Sequence, residues 1–417
     1  MSDTWTTAAR RGVQAAIVGA AFLASAGAGA QTTRDSAGVR IVENARPLST
    51  ASDPLHLSPA PLLVLGRQEG PEYKFSRIRG VMRLADGRIM VADGGSLQLR
   101  FYDANGKFVK ATAGKGTTPG LLSGMNFVRR LRGDTIAVGT GFADVALYTT
   151  EGSHARTLSL PRADRVGPPG LLLLDMLPNG NRLAVSFPNP APRPPGTQWL
   201  DSISFLLLDS ANVTVRDLGR LPHVTLAQEN AKDYTQPWLS SIAVVVGNAD
   251  HLYYGFGDRY AIQVYSPTGS LQSIIRRAWT PTPVTPADWE HWVVEWSKLW
   301  VKSTGDSAKQ EIQKVRDDPY AFTMPAFSQF IPDRVGRLWV REAHYQDAIA
   351  AGSLTDPPAV PSTWSVFDGD GRWLSDVAMP AHFQPYEIGA DYVAGKLYGD
   401  DKVATVVIYP LISPRRR

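Results

Sequence analysis

The chain has 417 residues, 43% of them hydrophobic and 20% charged, with no cysteine and a formal net charge of +4. That is ample for a large core in one big domain or two smaller ones. The missing cysteine excludes a disulfide framework, thiol chemistry and a cysteine-borne lipid anchor. The slight charge, without a lysine-rich face, speaks against nucleic acid, and the one basic run, Arg415–Arg417, reads as a solvated tail.

The first element in chain order is a targeting segment. Arg10 and Arg11 precede an Ala/Gly-rich apolar run, Gly12 to Ala30, that ends Ala28-Gly29-Ala30. A positive start, an apolar middle and an A-x-A ending predict a signal peptide over residues 1–30, cleaved after Ala30. A membrane anchor fits less well, because the run is rich in small residues, contains Gln14 and lacks a stop-transfer flank. A twin-arginine signal is disfavoured by Gly12-Val13-Gln14, where apolar residues belong. The mature chain is expected in the periplasm or outside the cell, with no membrane span.

After an N-terminal extension, residues 31–60, one pattern recurs six times. A turn with Gly, Asn or Asp leads into a β-rich run: DGRIMVAD from Asp86, GDTIAVGT from Gly133, NGNRLAVSF from Asn179, NADHLYYGF from Asn248, VGRLWVRE from Val335 and AGKLYGDD from Ala394. A second run follows each, with its own tight turn in the first five, as in LRFYDANGK or WSVFDGDGR, and without it in the sixth, and another apolar stretch precedes each unit. A small antiparallel sheet of this kind cannot bury both faces alone. Six arranged radially bury each face against a neighbour. The prediction is an all-β, six-bladed β-propeller of four-stranded antiparallel blades over residues 61–412, followed by the tail 413–417. The last unit ends at VVIYPLI without a fourth strand, so the spare apolar run Leu62–Leu65 is expected to complete it and close the ring.

The stretch LGRQEGPEYKFSRIRGVMRLADGRIMVADGGSLQLRFYDANGKFVKATAGKG resembles NHL-type propeller blades, with Gln98 where such blades usually carry arginine. DSAGVRIVEN, MPAF (Met324–Phe327), GRLWVRE and WSVFDGDGRW extend the likeness over nearly the whole mature chain, which resembles secreted bacterial six-bladed propellers of the NHL-like or TolB-like kind. The resemblance implies fold and export. It brings no catalytic motif.

With strands a to d running outward from the channel, the a–b and c–d turns share one face and the b–c loops and d-to-a connections share the other, the top. The turns LADGR, DANGK and SPTGS are tight, whereas Pro188–Asp201, His344–Ser362 and Thr280–Ala326 are long and all fall on the top face. Long segments gathered on one face point to function. Within the last of them, a helical insertion over 280–326 between blades 4 and 5, Thr285, Pro286 and Asp288 form an N-cap, an N1 proline and a capping-box acid. Trp289, Trp292, Val293, Trp296, Leu299 and Trp300 then share an arc of roughly 120°. A second short helix carrying Ala308, Ile312 and Val315 is expected to follow. The tryptophan stripe reads as packing rather than as a ligand platform, and its polar side is not basic enough for membrane docking.

Little catalytic chemistry is legible. The seven histidines form neither HxH nor HExxH, and no GxSxG or phosphate loop occurs. His291 and Glu295 are spaced to share a metal but fit an exposed i,i+4 pair better. Asp368-Gly369-Asp370-Gly371 hints at calcium, yet sits where other blades have plain turns and lacks a distal glutamate. Register places Glu72, Tyr73, Arg77, Arg79, Arg129, Trp238, Arg259, Tyr260, Glu342, His344, Tyr345 and Glu387 at the top mouth of the channel, suited to a polar ligand or peptide or to inter-blade ion pairs. The reading is a non-catalytic binding propeller without cofactor, holding a protein, peptide, glycan or polar small molecule on its top face. The alternative is a hydrolase, lactonase or lyase using a divalent metal ion at the channel mouth.

Overall fold

The computed structural model describes residues 30–49, 55–160 apart from 142, 171–186, 198–235 apart from 210, 230 and 231, 243–304, 312, 313, 316, 323–343 and 359–413. The predicted signal peptide lies outside these residues. The chain forms a six-bladed β-propeller. Blade 1 is the antiparallel sheet Ile78–Arg83, Ile89–Asp93, Gln98–Tyr102 and Phe108–Ala113, and blades 2 to 5 repeat this order outward from the channel. In blade 6, Phe383–Ile388, Tyr392–Tyr398 and Ala404–Ile412 supply only three strands. Leu63–Leu65 pairs antiparallel with Val406–Ile408 as the fourth, and the Leu62 N–H adds a bond to the Ile408 carbonyl at 2.7 Å.

Two-residue periodicity explains the ring. In the second strand of blade 1, Met90 and Ala92 pack towards blade 2 while Ile89 and Val91 pack towards blade 6. Each seam between neighbouring blades holds one apolar cluster, six in all among the described residues, so every blade is buried on both faces. Gly80 sits at a register shift in the inner strand of blade 1. A Cβ there would lie 3.0 Å from Val128 Cβ, so glycine permits the close approach of two inner strands.

The 31–60 stretch is not a loose extension. Gln31–Ser36 and Val39–Asn44 form a hairpin turned at Ala37-Gly38, both with positive φ as a tight primed turn requires. Val39–Asn44 then pairs in parallel with the outer strand of blade 4, Leu271–Arg277, making that sheet six-stranded. Asn44 is buried and clips the blade 4–5 seam. Its Nδ2 donates to the Arg276 and Gly371 carbonyls at 2.9 and 3.0 Å, and its Oδ1 accepts the Trp373 N–H at 2.9 Å. His56–Leu57 pairs with the end of blade 6.

Blade 3 also differs from expectation. The predicted loop Pro188–Asp201 is strand from Gln198 on, because Gln198–Leu208 and Thr214–Glu229 outrun the second strand, Arg182–Ser186, as a long hairpin.

Candidate functional site

The inner strands and their a–b turns enclose a channel cavity of about 370 Å³. Its wall begins at Arg79, Val128 and Gln329, early in the inner strands. It reaches the tight-turn face at Arg132, Pro178, Asp250 and Arg334. Arg79 has room there because Gly94 carries no side chain; a Cβ on Gly94 would lie 2.7 Å from Arg79 Cγ.

Three of the sequence-predicted residues line this cavity: Arg79, Arg129 and Glu387. Arg129 Nε pairs with Asp175 Oδ1 across the blade 2–3 seam at 2.9 Å. Glu387 is a correction, since it lies near the tight-turn end of its strand and not at the top mouth. There its carboxylate accepts the Arg83 N–H at 2.9 Å, the Tyr392 hydroxyl at 2.6 Å and the Arg130 guanidinium at 3.0 Å, tying blades 1, 2 and 6 together. Arg130, which sequence reasoning missed, also donates to the Arg83 carbonyl at 2.7 Å.

Other candidates lie elsewhere. Glu72 and Tyr73 sit on a 3-10 turn, Pro71–Tyr73, in the groove between blades 6 and 1. The Tyr73 hydroxyl donates to the Gly106 carbonyl and accepts the Phe108 N–H, and Arg100 grips the Glu72 carbonyl at 3.0 Å. Both serve packing, away from the channel. Tyr260 is 4% exposed in the blade 4–5 seam, edge-on to Phe327 at 5.6 Å, and burial raises its phenol far above the ordinary range. Glu342 is the counter-ion of Arg277 at 2.5 Å, and Arg277 stacks 4.1 Å from the Trp373 ring. These two are seam residues because Tyr260 precedes the third strand of blade 4, Ala261–Tyr265, and Glu342 follows the second strand of blade 5, Leu338–Arg341, so both stand outward of the inner strands that line the channel. Arg77 and Arg259 are exposed; Arg259 pairs only loosely with its neighbour Asp258, at 3.7 Å. Trp238, His344 and Tyr345 lie outside the described residues.

A buried pair at the top of blade 1 also escaped notice. Asp93 gathers the N–H groups of Ser76, Arg77 and Gly95, the Ser96 hydroxyl and, at 3.1 Å, the Arg100 guanidinium. Gln98 stands where the NHL likeness implies arginine; Arg100, two residues on and therefore on the same face of the strand, makes the ion pair. The Asp368–Gly371 stretch is a turn. Asp368 Oδ1 accepts the Asp370 and Arg372 N–H groups, Asp370 pairs with Arg40 at 3.2 Å, and Gly371 offers its carbonyl to Asn44.

In the insertion, the Thr285 hydroxyl accepts the Asp288 N–H while the Asp288 carboxylate accepts the Thr285 N–H, completing the capping box of helix Pro286–Thr304. Trp289 and Trp292 are buried and stacked at 5.1 Å, and the Trp289 indole donates to the Arg316 carbonyl. Helical backbone returns at Ile312, Gln313 and Arg316, and Arg316 forms a two-pronged pair with Glu290 at 2.9 and 3.0 Å. Packing thus accounts for these two indoles; the side chains of Glu295, Trp296, Leu299 and Trp300 lie outside the description.

No protein-family model and no curated protein matches the sequence. Among solved structures, the chain is similar to a protein named as exported from Bacteroides fragilis, at 12% identity and a TM-score of 0.47, covering 89% of this chain and 100% of that one. A DUF4221 family member from Bacteroides vulgatus gives 8% and 0.49, with 87% and 99% covered. Virginiamycin B lyase from Staphylococcus aureus gives 9% and 0.39, with 84% and 98% covered. The six-bladed fold stands on the strand pairing itself.

Proposed function

We propose that this chain is an exported, non-catalytic binding propeller that holds a protein, peptide, glycan or polar small molecule on its top face. The observation that carries the reading is the asymmetry of the two faces. One has only short turns, while the other carries the helical insertion and the overrunning hairpin of blade 3. Exposed Arg77 and Arg259 add polar contacts on that side. A further observation supports binding over metal-dependent hydrolysis. The channel carboxylates Glu387 and Asp333 already accept arginine and backbone donors. Among the described residues no helix is long and apolar enough to cross a membrane.

Thermal unfolding after EDTA treatment, with calcium or zinc added back, tests the proposal. A metal held only by the folded state stabilises it by about 2.7 kcal/mol at a hundred times its Kd. The binding reading expects an unchanged melting temperature. A saturable rise with either ion, accompanied by lactone or ester hydrolysis, would replace it with the metal-dependent hydrolase.

A further inference from the structure

We infer that the peptide bond at which the targeting segment ends is taken up by the fold itself, so that its hydrolysis precedes closure of the ring and the chain crosses the membrane unfolded. This rests on export through the segment 1–30 and adds the order of events. The bond is Ala30–Gln31. The Ala30 carbonyl accepts the Ala45 N–H at 3.0 Å and the Arg46 N–H at 3.4 Å. Gln31 opens the hairpin opposite Asn44, and its side-chain amide donates to the Trp373 carbonyl at 3.0 Å. Both Ala30 and Gln31 are half-buried. An endopeptidase takes its substrate as an extended strand and turns the scissile carbonyl towards its own N–H donors. In the folded chain that carbonyl already has two donors, and the strand that follows it is paired. The finished fold tolerates the cut. Hydrolysis leaves a carboxylate on Ala30 and an ammonium on Gln31, and the Ala45 and Arg46 N–H groups that lose their acceptor belong to exposed residues, where water replaces it.

The elements that mask the bond are assembled last. Val39–Asn44 lies on Leu271–Arg277 of blade 4. The Gln31 amide reaches a residue 342 positions further on. The Leu48 and Ser49 N–H groups donate to the Trp373 and Leu374 carbonyls of blade 5 at 2.9 and 2.8 Å. Leu63–Leu65 completes blade 6 only once Val406–Ile408 is present. The segments 31–49 and 55–65 thus strap blades 4, 5 and 6 together. A chain delivered N-terminus first exposes Ala30–Gln31 before blade 4 exists. The hairpin is local, but a two-stranded hairpin by itself is at best marginally stable in water, so the masking waits for blade 4. Contacts of such sequence separation carry the largest loop-closure cost and form late. A chain moved across already folded would present the bond masked, in keeping with the poor match of Gly12-Val13-Gln14 to a twin-arginine signal.

Purified precursor, residues 1–417 in detergent micelles, is given to purified signal peptidase in two states. One is folded beforehand, as tryptophan fluorescence verifies; the other is diluted from urea directly into the enzyme. Intact mass follows the release of residues 1–30. Cleavage of a folded chain tracks the population of its open form, so the folded precursor should be cut at Ala30–Gln31 about tenfold more slowly or worse. A Gly-Ser linker of about eight residues inserted after Ala30 lifts the bond clear of the sheet and should bring the folded precursor to the unfolded rate. Equal rates for the two states of the parent overturn the inference. So does a linker precursor that stays resistant when folded, because the sheet would then not be what masks the bond. If neither state is cut at this bond, the signal-peptide reading fails and takes the inference with it.

Discussion

At the tight-turn end of the channel, short connections such as Leu84–Arg88 and Asn248–His251 join neighbouring strands, and one carboxylate, Glu387, holds groups from three blades. At the top end the chain wanders. It leaves blade 4 after Arg277, builds a capped helix, and re-enters blade 5 only at Gln329. The short turns limit the entropy lost in bringing strands together, and the network at Glu387 fixes their spacing. The top end puts its apolar surface into an appendage with its own tryptophan pair. One end is cross-tied between blades, and the other carries an appendage.

The largest expected effect comes from breaking the rigid end. Glu387→Gln removes the carboxylate that pairs with Arg130 at a site where both side chains are nearly buried. Removing one partner of such a pair costs about 3–5 kcal/mol, to be read as a fall in global stability by denaturant unfolding. A loss below 1 kcal/mol would mean the network is not what ties the blades. Next comes Asn44→Ala, which strips the Trp373 N–H and two carbonyls of their partner. A buried polar group left unsatisfied costs about 1–3 kcal/mol. Hydrogen exchange should accelerate in Leu271–Arg277 and at Gly371–Trp373 while blades 1 and 2 stay protected.

Trp289→Ala sharpens the contrast from the other side. The cavity it leaves costs about 3–5 kcal/mol, but within the appendage. Exchange should rise across Pro286–Thr304 with the melting temperature of the ring unchanged; a lowered ring melting temperature would show that the insertion is part of the core. The smallest effect is electrostatic. Burial lowers the pKa of His251, on the a–b turn of blade 4, below its ordinary 6.5. The unfolded chain then takes up the proton first. This contribution is absent above about pH 6.5 and becomes a growing destabilisation as pH falls from there to the folded pKa. Stability measured between pH 7.5 and 5.5 should slope less in His251→Gln than in the parent.

The fold was legible because each blade repeats a turn followed by alternating apolar residues, and because blade 6 is one strand short. The vacancy called for Leu63–Leu65. Nothing called for the hairpin Gln31–Asn44, because blade 4 is already complete and an added outer strand leaves no gap in the pattern. The site was half legible. Arg79 and Arg129 were placed on the channel wall because inner-strand positions face it. Tyr260 and Glu342 were misplaced because they flank the third and second strands of their blades, which stand outward of the channel wall. Glu387 was assigned to the wrong end because its strand starts at Phe383, which makes Glu387 the fifth of six residues rather than one of the first. The Asp93–Arg100 pair was invisible because its partners come from two different strands.

One excision tests the contrast between the two ends most directly. Pro283 and Thr323 form an antiparallel bridge, and the Met324 N–H reaches the Thr282 carbonyl at 2.8 Å, so the insertion departs and returns at one point. Replacing residues 285–322 by a short Gly-Ser linker therefore removes it without stretching the ring. Hydrogen exchange followed by mass spectrometry should show the inner strands Ile78–Arg83, Val128–Arg130 and Phe383–Ile388 as protected as in the parent, with an unchanged melting temperature. Loss of protection in those strands would contradict the account, because the top face would then be holding the ring together rather than standing on it.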